Sequence, residues 1–140
     1  MTPPADIKNL IPHRAPMRFV NALMRCDEKT ATATACFGEN DFAVSDGKVL
    51  ESALVECVAQ TVAAALGQRA KSGAGKTGGA GANGMLVAAS NFKIRSRPAA
   101  GKNLQIEIRE TRRLGPMLMV SATISCDGQA VASGELSLYA

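Results

Sequence analysis

Apolar and polar residues alternate with a period of two through much of the second half of the chain. Leu104, Ile106 and Ile108 fall on one side of such a pattern, and Leu118, Val120, Ala122 and Ile124 on one side of the next. Period two puts successive side chains on opposite faces of a strand. The stretches 85–95 (MLVAASNFKIR), 103–113 (NLQIEIRETRR), 117–126 (MLMVSATISC) and 129–139 (QAVASGELSLY) therefore predict four strands. Asp127-Gly128 reads as a tight hairpin turn between the last two, because both central positions of that turn need positive φ. Nearer the start, MRFVNALMRC (17–26) and KTATATACF (29–37) flank the charged turn Asp27–Glu28–Lys29, a hairpin signature. GENDFAVSDG (38–47), which follows, reads as a loop.

One stretch breaks the alternation. LESALVECVAQTVAAALGQR, ending near Arg69, is the only long helical candidate, and it is apolar around most of its circumference, so it should be sunk in something rather than lie on a surface. After it, KSGAGKTGGAGANG (71–84) has six glycines in 14 residues, too costly in backbone entropy to order, and reads as a flexible loop. Its GAGKT invites a phosphate-loop reading. That geometry, however, needs a glycine where Ala70 stands and a strand leading in where a helix does. At the other end, ADIKNLIPHRAPM offers a short helical turn that Pro12 and Pro16 end, a lead-in rather than part of the core.

Two strands, one long buried helix and four strands make a single domain, residues 1–140, of the α+β class: an antiparallel sheet wrapped around one long central helix, the hotdog arrangement. Apolar residues on both sides of the helix imply a second surface beyond the monomer, most simply a two-fold partner. A homodimer or higher homo-oligomer is the expectation.

Composition narrows the function. Aromatics are 4% with no Trp and the net charge is only +4, so the stacking platform of a single-strand nucleic-acid binder is missing and no nucleic-acid partner is expected. The mild basic balance favours acidic partners. Cys26, Cys36, Cys57 and Cys126 stand too far apart for paired metal or redox spacing, and the chain has one His, so no metal site is expected. The cysteines read as small buried apolar residues. No cofactor is implied. No secretory signal is expected from the opening residues, and no run reaches the about 18 uncharged apolar residues of a membrane span. The expectation is a cytoplasmic protein.

Glu56 stands out. It lies mid-helix between Val55 and Cys57, where an ionised carboxylate without a partner would be so costly that it must be neutralised, paired or placed at a site. Ser52, Glu56 and Gln60 are spaced by four and form a thin polar stripe along one helix face, a wall along which a pocket could form. A structural carboxylate bonded to a neighbouring backbone is the competing reading.

The residues around Glu56 also resemble a family. VECVAQ is similar to the helix motif of the 3-hydroxyacyl-acyl carrier protein dehydratases, the hotdog enzymes of fatty-acid synthesis. IPHRAPM resembles their Leu-Pro-His-Arg-x-Pro lead-in, FKIRSRPAAGKNL their Arg-Pro…Gly-Asp-x-Leu segment, and CDGQAVASGEL their closing Asp-Gly hairpin. Together these cover most of the chain apart from the glycine-rich stretch. In that family a histidine of a His-Phe-Pro-Gly segment works with the helix carboxylate across the dimer interface. Here the segment reads ENDFAVSDGKVLES: Phe42 stands at the histidine's spacing, and Glu51 falls where the family has the glycine whose backbone donor holds the thioester carbonyl. The chain resembles a branch of dehydratase relatives that lacks this histidine.

The resemblance implies an acyl carrier protein or coenzyme A thioester as partner, with the acyl chain in a tunnel at the dimer interface. Removing water from a 3-hydroxyacyl thioester needs a base for the C2 proton, an acid for the departing hydroxyl and donors for the enolate-like oxygen. Glu56 in an apolar tunnel suits an acid or acid/base shuttle. For the second role the candidates are His13, the lone imidazole, and Asn40 with Asp41 and Ser45 on the loop. The favoured reading of His13 is nonetheless a histidine that fixes the proline-rich lead-in through backbone bonds. Ser52 and Gln60 are candidates for substrate contact. Lys93, Arg95 and Arg97 alternate along one strand and Arg112 and Arg113 end another, so Arg95 and Arg97 are candidates to grip an acidic carrier or the phosphates of coenzyme A, or else belong to a solvated face. Three functions stay open: dehydration, thioester hydrolysis with Glu56 activating water, and a non-catalytic subunit that binds acyl carriers or completes a heterodimer with a histidine-bearing partner.

Overall fold

A computed structural model describes residues 4–6, 10–11, 17–72 and 85–139. The elements follow in the order β1 (Ala5–Asp6), β2 (Val20–Cys26), β3 (Thr30–Cys36), β4 (Val44–Ser45), β5 (Lys48–Val49), α1 (Glu51–Ser72), β6 (Met85–Ile94), β7 (Asn103–Leu114), β8 (Met117–Cys126) and β9 (Gln129–Tyr139). Seven strands form one sheet in the order β1-β2-β3-β7-β8-β9-β6, while β4 and β5 form a separate small hairpin. Every pairing is antiparallel.

Alternation decides which face of the sheet is buried. In β3 the alanines 31, 33 and 35 are buried while Thr32 and Thr34 are half-buried, and the registers Ala31↔Ile108, Ala33↔Ile106 and Ala35↔Leu104 carry that apolar face into β7. From there Ile106↔Ile124 and Ile108↔Ala122 carry it into β8. α1 packs on this face, chiefly against β2, β3 and β7. At the C-terminal part of the helix, buried Arg69 donates from Nε to the Asp27 carbonyl at 2.9 Å, and its Nη1 lies 3.5 Å from Glu110 Oε2, locking the helix to the sheet.

From Gln60 to Arg69 every position of α1 is buried, so this part of the helix is covered all round, whereas Glu51 and Ser52 are exposed and Val55, Glu56 and Ala59 are half-buried. The chain itself supplies part of the cover. Gly67 lies against the backbone of Leu10, where a Cβ would stand 2.7 Å from the carbonyl oxygen, and Leu10 and Ile11 are buried. Residues 60–69 of the helix are thus buried within a single chain.

Three expectations are corrected. Residues 5–6 of the lead-in pair as an edge strand, with Ala5↔Leu23 and Asp6↔Ala22, and the lead-in adds Ala5, Leu10 and Ile11 to the core; residues 7–9 and 12–16, with most of the expected helical turn and its prolines, lie outside the described residues. The loop after β3 carries the β4–β5 hairpin, whose turn residues Asp46 and Gly47 have φ of 57° and 74°, the two positive values that a two-residue turn requires. α1 runs through Ser72, so Lys71 and Ser72 of the glycine-rich stretch are helical; residues 73–84, with the GAGKT motif, lie outside the described residues.

Candidate functional site

The polar stripe on α1 runs from solvent into the core. Ser52 is exposed on the first turn, Glu56 is half-buried, and Gln60 is 1% exposed. Gln60 Nε2 donates to Glu56 Oε2 at 3.2 Å and to the Met17 carbonyl at 2.8 Å, while Oε1 accepts from the amides of Phe19 at 2.8 Å and Val20 at 3.2 Å. A primary amide has two donors and two acceptor positions, and all four are filled. Turning it over would face its NH2 against two backbone N–H groups, so its orientation is fixed and a donor always points at Glu56. Gln60, a candidate for substrate contact, has its hydrogen-bonding capacity filled inside the protein and orients the carboxylate.

Next to Glu56 on the helix, Cys57 is fully buried. Burial, and secondarily the negative charge of Glu56, hold its thiol well above the ordinary thiol range, so it is neither nucleophile nor acid at neutral pH. The other cysteines depart from the expected burial: Cys36 is exposed, and Cys26 and Cys126 are half-buried.

The loop after β3 presents an aromatic cluster that the sequence reading missed. Phe42 is 56% exposed, and its ring meets that of Phe19 at 5.8 Å, tilted by 47°, while Phe19 in turn meets Phe37 at 5.3 Å. With Arg18, Asn40 and Asp41 these rings line a cavity of about 450 Å³. The available signal was the concentration of three of the chain's four Phe in two short segments. Asn40 lines this cavity, whereas Glu56 is not among its lining residues. The two are linked indirectly, because the Phe19 amide bonds to Gln60 and its ring carries Phe42. His13 lies outside the described residues.

The basic candidates separate. Arg95, like Lys93, is exposed beyond the end of the sheet's edge strand β6 or on it. Arg97 is half-buried and donates to three backbone carbonyls, from Nε to Val49 and from Nη2 to Ser45 and Lys48, each at 2.9 Å. Arg113 Nε lies 3.6 Å from Glu110 Oε1. Among the described residues no group of His, Cys, Asp and Glu is arranged to hold a metal ion, and no helix is long and apolar enough to cross a membrane.

A family model described as ApeP-like, ApeP dehydratase, matches residues 5–140. The chain belongs to this ApeP-like dehydratase family. Among curated proteins it is 28% identical, over 94% of its own length and 91% of the relative's, to the 3-hydroxyacyl-[acyl-carrier-protein] dehydratase FabZ of Bacillus thuringiensis strain Al Hakam. Among solved structures it is similar to a chain of the dehydratase heterocomplex ApeI:P from Xenorhabdus doucetiae, with a TM-score of 0.82, 19% identity, and coverage of 96% of this chain and 90% of that one. It also resembles a hypothetical thioesterase with coenzyme A from Streptococcus pneumoniae TIGR4, with a TM-score of 0.65, 11% identity, and coverage of 84% and 82%. The fold is the hotdog fold, and the chain is a dehydratase-like member related to the FabZ and ApeP proteins.

Proposed function

We propose that this chain is one half of a 3-hydroxyacyl-thioester dehydratase, with Glu56 as its acid/base group and a histidine-bearing hotdog subunit supplying the second. The observation that carries this reading is the half-buried carboxylate held by an amide that cannot turn over, in a chain whose loop offers the phenyl ring of Phe42 at the spacing where the related dehydratases have an imidazole. A phenyl ring takes up no proton. Glu56 delivers a proton to the C3 hydroxyl as it leaves, and the imidazole of the second subunit takes the C2 proton, giving a trans-2-enoyl thioester and water. The resemblance to a chain of a dehydratase heterocomplex supports a partner different from this chain. The acyl chain lies in a tunnel that the second subunit closes beside the Phe37–Phe42 cavity, and exposed Lys93 and Arg95 meet the acidic surface of the carrier or the phosphates of coenzyme A.

The test is turnover of a 3-hydroxyacyl carrier substrate by this chain alone and after mixing with a histidine-bearing hotdog subunit. Enoyl product should form in the mixture, and Glu56→Gln should lower that rate by about 10²-fold or more. Equal turnover by the chain alone would show that it completes its own site as a homo-oligomer, and an unchanged Glu56→Gln rate would remove Glu56 from the reaction. Release of free thiol instead of enoyl product would mean thioester hydrolysis.

A further inference from the structure

Arg97 reaches across 48 to 52 positions of sequence to place three donor contacts on the β4–β5 hairpin. The same crossing is stitched by backbone bonds from Val49 N to Pro98 O at 2.9 Å, Ala100 N to Gly47 O at 2.9 Å and Gly101 N to Phe37 O at 2.8 Å. The whole loop between β3 and α1 is thus held at both ends by residues 97–101. What that loop carries bears on the site: Asn40 and Phe42 line the cavity, Leu50 N is tied to Ala43 O at 2.8 Å, and the Leu50 carbonyl accepts the first bonds of α1, from Ala53 and Leu54. Phe42 then rests on Phe19, whose amide is bonded to Gln60, the residue that orients Glu56.

A guanidinium is suited to this place because its donors sit in a rigid planar fork that can span separate carbonyls, whereas an ammonium is a point charge on a flexible stem. The sequence alone left Arg97 as a candidate to grip the carrier, but the structure turns its donors inward. We propose that Arg97 is a positioning residue of the dehydratase site: by clasping Ser45, Lys48 and Val49 it fixes the Asn40–Phe42 loop and the start of α1 relative to Glu56. This rests on the dehydratase reading above.

The experiment compares wild type, Arg97→Ala and Arg97→Lys, each mixed with the histidine-bearing subunit, for kcat, KM and salt dependence on a 3-hydroxyacyl carrier substrate. Amide hydrogen exchange of Val49, Leu50 and Ala100 is followed in parallel. Positioning predicts a fall in kcat of tenfold or more in Arg97→Ala with KM within twofold and an unchanged salt dependence, incomplete rescue by Lys, and faster exchange at the three amides. A raised KM with intact kcat and a flattened salt dependence would overturn the proposal in favour of a carrier grip, and unchanged kcat and KM would overturn it outright. Wild type without turnover removes the dehydratase reading and Arg97's place in catalysis with it; the exchange data then still decide whether the clasp exists.

Discussion

Gln60 and Glu56 are joined by one hydrogen bond of 3.2 Å, and the geometry of that bond is set elsewhere, by the Met17 carbonyl and the amides of Phe19 and Val20. The helix carries both residues one turn apart, yet it is the chain crossing before β2 that makes the pair rigid. The acid/base candidate is therefore oriented by backbone atoms far from it in sequence.

Gln60→Ala should destabilise the protein by about 2–3 kcal/mol in urea unfolding, because a buried carbonyl and two buried amides lose their partner together and an unmade buried bond costs more than a made one contributes. Gln60→Glu, which keeps the volume but turns a donor into an oxygen facing Met17 O and Glu56, should be at least as damaging. A change within about 0.5 kcal/mol for the Ala variant, the range of a neutral surface substitution, would mean that water takes over all these bonds.

Gly67→Ala tests the close approach of the N-terminal segment to α1. Alanine favours helix over glycine by about 1 kcal/mol, so propensity alone predicts a gain. The added Cβ would stand 2.7 Å from Leu10 O, a backbone atom with little freedom to withdraw, and overpacking of this kind costs about 1–3 kcal/mol. The expected outcome is a net loss of stability, read as a lower midpoint with unchanged slope; a raised midpoint would show that residues 10–11 move away freely.

Thiol labelling should divide the cysteines. Exposed Cys36 reacts with an alkylating reagent in the native protein, while fully buried Cys57 reacts only on unfolding. The pH dependence follows from the same burial. Cys57 keeps its proton in the fold at pH values where the unfolded chain, with an ordinary thiol value of 9.0, has lost it. Above that pH the native state binds more protons than the unfolded one, so stability declines as pH rises, by up to about 1.4 kcal/mol per pH unit from this group. Cys57→Ala should remove that part of the slope in alkaline unfolding titrations; an unchanged slope would assign it to other groups.

Much of the fold was readable in the chain and some of it was not, for physical reasons that differ by element. β8 and β9 have the same bounds as the stretches 117–126 and 129–139, since long alternation and an Asp-Gly turn fix both register and ends. Asp46-Gly47 carried the same turn signal, but strands of two residues are too short to show a period, and the β4–β5 hairpin was read as loop. β1 pairs through backbone atoms, which no side-chain pattern announces. The apolar circumference of α1 said that the helix is covered and could not say by what. At the site, spacing by four placed Ser52, Glu56 and Gln60 on one face, but the partners of Gln60 and Arg97 lie some forty to fifty positions away, beyond the reach of local pattern.

Burial of α1 becomes continuous from Gln60 to Arg69, while Glu51 and Ser52 are exposed and Val55 and Ala59 are half-covered beside Glu56. Selection can therefore alter the surroundings of the carboxylate at those four positions with little penalty to folding. The polar entrance of the helix is thereby free to diverge among relatives by substitutions that leave the interior of the molecule as it stands.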